Sequence, residues 1–352
     1  MLVFCTKYNF NSERSLLPRF LRPKNPMPYD LITLGEALID LPATQSGVSL
    51  ADASGFTKVP AGAPGNVAAA AARLGLRTAF VSKVGDDPFG RCLVQHFGAL
   101  GVDTSHMVLD KAGRTGLAFV SVMPDGERDF LFYFNPEHDF ALRPDELDAA
   151  WLGSTRVFHY GSISLIAEPG RSATVEAARL ARAGGALISY DPNLRPRLWP
   201  SEDAMRHGAL SGFADADIVK ISEEEITTLF PDAIGEDVAA MRLLQMGPQL
   251  VCVTRGASGC TGYSCSQAVH VPGFAVPFAD ATGAGDSFTA GLLTFLLRQG
   301  PDWEGTLKYS RYILADALRY ANACGALATT HRGADPTALS ESAVQSLLRD
   351  NK

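Results

Sequence analysis

The chain has 352 residues, 46% of them hydrophobic and 20% charged, which is the balance of a globular protein with one large domain or two smaller ones. Its formal net charge of −7 argues against a nucleic-acid partner, because phosphate backbones favour clustered Lys and Arg. The sequence contains no apolar run near the roughly 20 residues that a membrane span needs, so we expect a cytoplasmic protein with no membrane partner.

Residues 1–27 differ from the rest of the chain in composition. Five basic residues and a single acid, with recurring prolines, predict a disordered extension. An Arg-rich, acid-poor organelle transit peptide and an upstream start codon with initiation at Met27 both explain it, and we favour the second explanation.

Strands and helices alternate from Tyr29 onward. An apolar run at 31–41, broken by Gly35 and Glu36, reads as a strand, and an Ala-rich helix at 65–74 ends at Gly75. A strand at 78–84 and a helix at 88–100 follow. This alternation predicts βαβ units and a parallel sheet.

The alternation is interrupted by two strand-like runs, 116–123 and 127–135, on either side of Pro124-Asp125-Gly126. Asp-Gly between alternating segments is a strong hairpin signal. Because a two-stranded ribbon is marginal alone, we expect a small β lid built from about 41–60 and 112–136.

Further strands and helices complete the pattern beyond residue 150. We predict strands at 156–160, 186–190, 217–221 and 250–254, and helices near 173–182, 236–246, 288–297 and 311–330. Residues 28–352 therefore form one α/β domain with a doubly wound, mainly parallel sheet, whose ligands lie at the carboxyl ends of the strands.

The segment 280–289, Asp-Ala-Thr-Gly-Ala-Gly-Asp-Ser-Phe-Thr, carries the clearest chemical signal. Small residues leave main-chain N–H groups uncovered where a helix begins, which favours a bound anion. Asp286 would repel a phosphate there unless it takes a proton from the attacking group, so the pattern indicates phosphoryl transfer to a hydroxyl. Alternatively, Asp286 is only a stabilising first-turn acid.

A second glycine-rich segment, 61–66, precedes the first helix. Gly62 allows close approach of a ligand, and Asn66 offers a donor and an acceptor to sugar hydroxyls, although Asn66 would serve equally well as a helix cap. The chain lacks the P-loop pattern, and Phe288 occupies the place of the third glycine of a dinucleotide fingerprint.

Together the two segments resemble the signatures of the ribokinase-like, or phosphofructokinase B, carbohydrate kinases. The likeness extends from about Tyr29 to the C-terminus and includes the segments 35–40, 191–195 and 222–225. It implies the ribokinase-like fold and a kinase that uses ATP, Mg²⁺ and K⁺.

The resemblance also implies roles for individual residues. Asp286 would be the catalytic base and Gly283, Ala284 and Gly285 its anion hole. The positions that match sugar-binding residues are Asp40, Gly62, Asn66 and Arg195. Those that match the nucleotide and magnesium positions are Lys220, Glu225, Thr254, Gly256 and Asn322. Oxygen ligands of K⁺ would come from Asp280, Thr282, Ala328, His331, Gly333 and Thr337.

The acceptor is harder to assign. Segments 35–40, 132–136 and 191–199 are similar to bacterial fructokinases, and we expect fructose. Arg195 would also suit a carboxylate, as in the related 2-keto-3-deoxygluconate kinases. A sugar- or nucleotide-binding regulator without activity is an alternative of another class, and an exposed lid sheet predicts a homodimer.

Overall fold

The structure, a computed structural model, describes residues 27–123, 128–233, 235–300 and 310–351. The predicted disordered extension, apart from Met27, and the turn at 124–126 lie outside these residues. No helix within the described ranges has the length and apolar character of a membrane span.

Strands of the described chain form two sheets. In chain order they are β1 (Tyr29–Leu34), β2 (Leu38–Pro42), β3 (Val59–Ala61), β4 (Thr78–Gly85), β5 (Val102–Asp103), β6 (Met107–Asp110), β7 (Gly116–Val122), β8 (Arg128–Tyr133), β9 (Thr155–Gly161), β10 (Leu187–Asp191), β11 (Ile218–Ser222), β12 (Leu250–Thr254), β13 (Cys260–Tyr263) and β14 (Ala268–Val271). The larger sheet has ten strands in the order β14-β13-β12-β11-β10-β9-β1-β4-β5, with β6 beside β4. It is mainly parallel, as the sequence predicts, but β13 and β14, which the sequence did not predict, join it antiparallel.

Helices cover both faces of the larger sheet. They are α1 (Ala63–Arg73), α2 (Pro88–Ala99), α3 (Pro136–Asp139), α4 (Ala149–Leu152), α5 (Gly170–Ala183), α6 (Glu202–Ser211), α7 (Glu223–Leu229), α8 (Glu236–Met246), α9 (Ala284–Arg298), α10 (Arg311–Ala328) and α11 (Glu341–Asp350). Strand residues that face one side, such as Leu31 and Val157, pack with α1 and α9, whereas Ile32 and Phe158 face α5. Burial on both faces explains why these strands read as unbroken apolar runs.

The predicted strand at 31–41 is two strands in two different sheets. β1 lies in the large sheet and β2 in a four-stranded sheet of order β3-β2-β7-β8. The chain changes sheets at Gly35, where a Cβ would lie 2.5 Å from Cγ of Pro64. The predicted pairing of the runs at 116–123 and 127–135 is confirmed, since β7 and β8 are antiparallel with Ala118 opposite Phe132.

Several helix boundaries differ from the predictions. Helix α9 begins at Ala284 rather than at 288, because Gly283 takes the left-handed conformation with φ +77° and starts the helix ahead of its apolar run. Helices α6 and α11 were not predicted, although Ser201 and Ser340 each accept a hydrogen bond from a main-chain N–H of the first turn.

Candidate active site

The site lies at the carboxyl ends of the parallel strands, where α9 begins. The first N–H groups of a helix have no acceptor within the helix, and they point outward from its N-terminal end. Ala284 donates its N–H to the carbonyl of Ala281 at 3.2 Å, and the first bond inside the helix runs from Ser287 to Gly283 at 2.9 Å. Gly283 has φ +77°, and a Cβ there would lie 3.0 Å from Ala334, so this turn favours glycine.

Asp286 lies in the first turn of α9 and is 7% exposed. Its Oδ2 accepts a hydrogen bond from Nδ2 of Asn66 at 2.8 Å, and its Oδ1 accepts one from Nδ2 of Asn193 at 3.5 Å. Burial raises the pKa of Asp286, whereas the bond from Asn66 and the charge of Lys220 oppose the rise. The fold therefore joins the two glycine-rich segments, 220 residues apart, at a buried carboxylate held by neutral amides.

Lys220 lies against the glycine-containing turn at 283–285 that begins α9. Its Nζ is 3.2 Å from Oδ2 of Asp191, and a Cβ on Gly285 would lie 2.8 Å from that ammonium. Burial alone would lower the pKa of Lys220, but the carboxylates of Asp191, Glu225 and Asp286 outweigh it and raise the pKa. Lys220 thus lies against the turn that begins α9, and its charge acts on Asp286.

Burial raises the pKa of Asp191 to about 7, although the charge of Lys220 acts in the opposite direction. Asp191 also accepts the N–H of Asn193 at 3.2 Å. Asn193 has a positive φ of 44°, a conformation that costs free energy in a residue other than glycine and that Asn tolerates better than most. This backbone turn directs the Asn193 amide toward Asp286.

Glu225 joins two loops at the same edge of the sheet. Its Oε2 accepts the N–H of Ser222 at 2.9 Å, which forms a capping box on α7, and its Oε1 accepts the N–H of Leu194 at 2.7 Å. Each carboxylate oxygen still has a lone pair for a water molecule. The residue is therefore both a helix cap and an acceptor at the site.

The segment before α1 is in close contact with β1 and β2. Gly62 has φ +135°, and a Cβ there would lie 2.3 Å from the carbonyl oxygen of Glu36. Asp40 lies on β2 and pairs with Val59 on one side and Ala118 on the other. The small sheet thus carries Asp40, and α1 carries Asn66.

Arg195 is exposed, and its Nη1 donates to the carbonyl of Leu194 at 2.9 Å. Burial raises the pKa values of Glu36 and Asp286, and the charge of Arg195 opposes that rise in both. The nearby Arg197 reaches the small sheet, where its Nη1 donates to the carbonyl of Phe130 at 2.6 Å.

The predicted nucleotide residues lie around the ends of β12 and β14. Thr254 ends β12, and Gly256 follows with φ +52° and open space where a Cβ would lie. Asn322, on α10, donates to the carbonyls of Val271 at 3.2 Å and Pro272 at 3.0 Å. Asn322 thereby holds the segment after β14 against α10.

The residues predicted to ligate K⁺ are only partly brought together. Oδ1 of Asp280 accepts bonds from N and Oγ1 of Thr282 at 3.0 and 2.8 Å, and Oδ2 accepts the N–H of Gly333 at 2.9 Å. The carbonyl of Thr337 instead accepts from Nη2 of Arg73 at 3.5 Å. The remaining two predicted ligands are near this junction, with Ala328 ending α10 and His331 following it. Within the described ranges, no group of three or more His, Cys, Asp or Glu side chains has the arrangement of a metal site.

Two residues at this edge of the sheet were not identified from the sequence as members of the site. Glu36 and Asn193 were noted only as members of longer segments, because nothing in a linear pattern shows which side chains face Asp286. The positive φ of Asn193, unusual for a residue other than glycine, singles it out, but this backbone angle is seen only in the three-dimensional structure.

The sequence matches the model of the pfkB family of carbohydrate kinases over residues 29–341. The chain belongs to this family. It is accordingly a carbohydrate kinase with the ribokinase-like α/β fold that the sequence predicts.

Named relatives and solved structures agree with this assignment. The chain is 47% identical over 321 residues to a protein named "Probable fructokinase-4" from Arabidopsis thaliana, covering 91% of this chain and 97% of the relative. A fructokinase from Xylella fastidiosa solved with bound ATP has a TM-score of 0.82 and 36% identity, covering 91% of this chain and 98% of that one. A double mutant of the Vibrio cholerae O395 fructokinase, with fructose, ADP and potassium bound, has a TM-score of 0.79 and 33% identity, covering 92% and 100%.

Proposed function

We propose that this protein is a fructokinase that transfers the γ-phosphate of ATP to a primary hydroxyl of fructose. The observation that carries the proposal is the buried Asp286 carboxylate, held by the Asn66 and Asn193 amides in the first turn of α9. The fructokinase names of the relatives and the ligands of the two solved structures support the choice of sugar and nucleotide.

In the proposed reaction, the sugar hydroxyl oxygen attacks the γ-phosphorus as its proton passes to Asp286. The new O–P bond forms, the bond to the β-phosphate oxygen breaks, and ADP leaves. The N–H groups at residues 283–285, once that of Ala284 leaves the carbonyl of Ala281, and the Lys220 ammonium would stabilise the negative charge of the transferring group. The protein therefore acts by positioning and by charge stabilisation rather than by covalent chemistry.

The nucleotide would extend from the glycine turn toward Thr254, Gly256 and Asn322. Mg²⁺ would neutralise charge on the phosphates, and the lone pairs of Glu225 not used by main-chain N–H groups fit a water molecule in its coordination shell. K⁺ would bind where Asp280 joins the segment around Thr282 to that around Gly333. Because Thr337 is engaged by Arg73, its carbonyl fits this site less well than the other positions.

The small sheet would serve as the lid. Asp40 on β2 would bind sugar hydroxyls together with Gly62 and Asn66, and closure would exclude water from the phosphate. Arg197 supports this role, since its bond to Phe130 joins the loop after β10 to the edge strand of the small sheet.

The same sheet supports a homodimer. Leu131 and Tyr133 are 47% and 64% exposed, and both lie on one face of β8. Their partners across the strand pair, Phe119 and Leu117, are half-buried, so the apolar surface suited to a second copy of this chain is that of Leu131 and Tyr133 on the edge strand. Sedimentation of the wild type beside Tyr133→Glu tests the dimer, which the added charge should weaken.

A screen of ATP consumption tests the substrate. Fructose, 2-keto-3-deoxygluconate, ribose and nucleosides are compared at equal concentration, each with K⁺ and with tetramethylammonium in its place. We expect the highest kcat/KM with fructose and a loss of activity without K⁺. A preference for the keto-acid would reassign Arg195 as its carboxylate ligand and refute fructose as the acceptor.

A further inference from the structure

Glu36 is a buried acid beside the site, and the proposed reaction does not use it. The residue is 3% exposed and lies between β1 and β2. Its Oε1 accepts the N–H of Ala63 at 3.2 Å, and its Oε2 is buried without a hydrogen-bond partner among the described residues. An unpaired buried carboxyl oxygen is costly, so its presence here calls for a reason beyond packing.

Helix α1 has no cap of its own. Its N-cap residue is Gly62, which has no side chain to accept a bond, and its first turn contains no acid. Ala63 begins the helix and Pro64 carries no N–H, so the Ala63 N–H is one of few first-turn donors that need an acceptor. Glu36 supplies the missing acceptor from a neighbouring strand connection.

The main chain of Glu36 fixes the same segment. Its carbonyl oxygen lies against Gly62, where an added Cβ would come within 2.3 Å. Both the side chain and the backbone of Glu36 therefore contact the two residues that begin α1.

The first turn of α1 ends at Asn66, whose N–H bonds to the carbonyl of Gly62 at 2.9 Å. The side chain of Asn66 donates to Asp286 at 2.8 Å. A continuous series of contacts thus leads from Glu36 through Ala63 and Asn66 to the proposed base.

We propose that Glu36 is a positioning residue that anchors the N-terminus of α1 and thereby holds the Asn66 amide against Asp286. The inference rests on the role proposed above for Asp286. Glu36 itself touches no reacting atom in this arrangement.

A double-mutant cycle tests the coupling. The comparison is between Glu36→Gln, which removes the charge but keeps an acceptor for Ala63, and Glu36→Ala, which removes both. We expect kcat of Glu36→Ala to be about tenfold below that of Glu36→Gln, with little change in the KM for ATP. In an Asn66→Ala background the two should differ by less than about twofold. An equal difference in both backgrounds would overturn the inference.

A readout that needs no turnover separates this inference from the kinase assignment. The carboxyl carbon of Asp286 is followed by NMR against pH in the same four variants. Since the Asn66 bond lowers the pKa of Asp286, that pKa should be higher in Glu36→Ala than in Glu36→Gln, and equal in the Asn66→Ala background. If Glu36→Ala and Glu36→Gln show the same pKa for Asp286 in both backgrounds, the coupling is refuted even if the wild type phosphorylates fructose. A wild type that phosphorylates no sugar refutes the proposed function and leaves this titration decisive.

The matched control is Asp217→Asn. Asp217 is also buried and accepts one main-chain N–H, that of Ile188 at 2.9 Å, but it lies at the opposite end of the sheet. We expect it to change stability without changing kcat or the titration of Asp286. If Glu36→Ala does not fold, Glu36→Asp takes its place, because the shorter side chain withdraws the acceptor from Ala63.

Discussion

The carboxylates at the two ends of the large sheet have opposite environments. At the amino ends of the strands, Asp30 pairs with Arg77 at 3.1 Å and Arg156 at 3.3 Å, and Asp217 pairs with Arg182 at 3.0 Å. Burial would raise the pKa of Asp30, but the hydrogen bonds from Arg77 lower it on balance.

At the carboxyl ends, burial instead raises the pKa values of Asp286, Asp191 and Glu36. Amides and main-chain N–H groups hold Asp286 and Glu36, and the single ammonium of Lys220 lies next to Asp191. Buried carboxylates are thus paired with guanidinium groups at the amino ends, whereas at the carboxyl ends burial outweighs the nearby donors and raises the pKa.

Replacement of Asp286 should have the largest effect at the carboxyl edge. We expect Asp286→Asn to lower kcat by about a thousandfold, in the range found for a lost general base, because an amide cannot accept the hydroxyl proton. Fructose binding should persist, as measured by calorimetry alongside ATP turnover. Unchanged turnover would refute the assignment of the base.

Removal of the one ammonium among these acids should also destabilise the fold. Lys220→Met leaves Asp191 buried without its partner, which we expect to cost about 3–5 kcal/mol of unfolding free energy. Urea titration measures the loss, and a second substitution, Asp191→Asn, should restore part of it. If the double variant is no more stable than the single one, the pair is not the cause.

Because burial raises the pKa values of these acids, the free energy of unfolding should fall as pH rises. The pKa of Glu36 is about 7 in the fold and 4.5 ordinarily, so the folded state binds more protons between these values. Its contribution to stability is present below about pH 4.5 and is lost as pH rises through 7, by about 3 kcal/mol in all. Asp191 acts in the same sense.

Unfolding free energies at pH 5 and pH 8 test this dependence. Glu36→Gln has no titrating group at that position and should lose less stability than the wild type between the two pH values. Equal losses in the two proteins would contradict the raised pKa.

The smallest effect on activity is expected at the amino edge. Asp217→Asn weakens the ion pair with Arg182 and should lower the unfolding free energy by about 1–3 kcal/mol. The value of kcat should stay within about twofold of the wild type, because Asp217 is remote from Asp286. A large loss of activity would show that the two edges are coupled.

Much of the fold is predictable from local patterns. The strands at 78–84 and 250–254 stand out because both of their faces are buried, and the helix at 236–246 is predicted with its observed bounds. Helix α6 is not apparent from its apolar pattern, since only Met205 and Ala209 are buried, and the Ser201 cap is its clearest local signal.

The sequence predicts which residues belong to the candidate site, but not which of them contact one another. Asp286 and Asn66 belong to recognisable segments, and their chemistry follows from residue type and glycine spacing. The position of Lys220 depends on the register of β10 against β11, and that of Glu36 on the change of sheet at Gly35. Neither is encoded in a short stretch of chain.

From the sequence alone follow the class of fold, the glycine-rich helix start and the acid within it, because hydrophobic period and glycine placement are local properties. Only the tertiary structure decides which distant groups surround that acid. Burial and charge at Asp286 arise from side chains on α1, the loop after β10, and β11, and their distances are set by packing across the whole sheet.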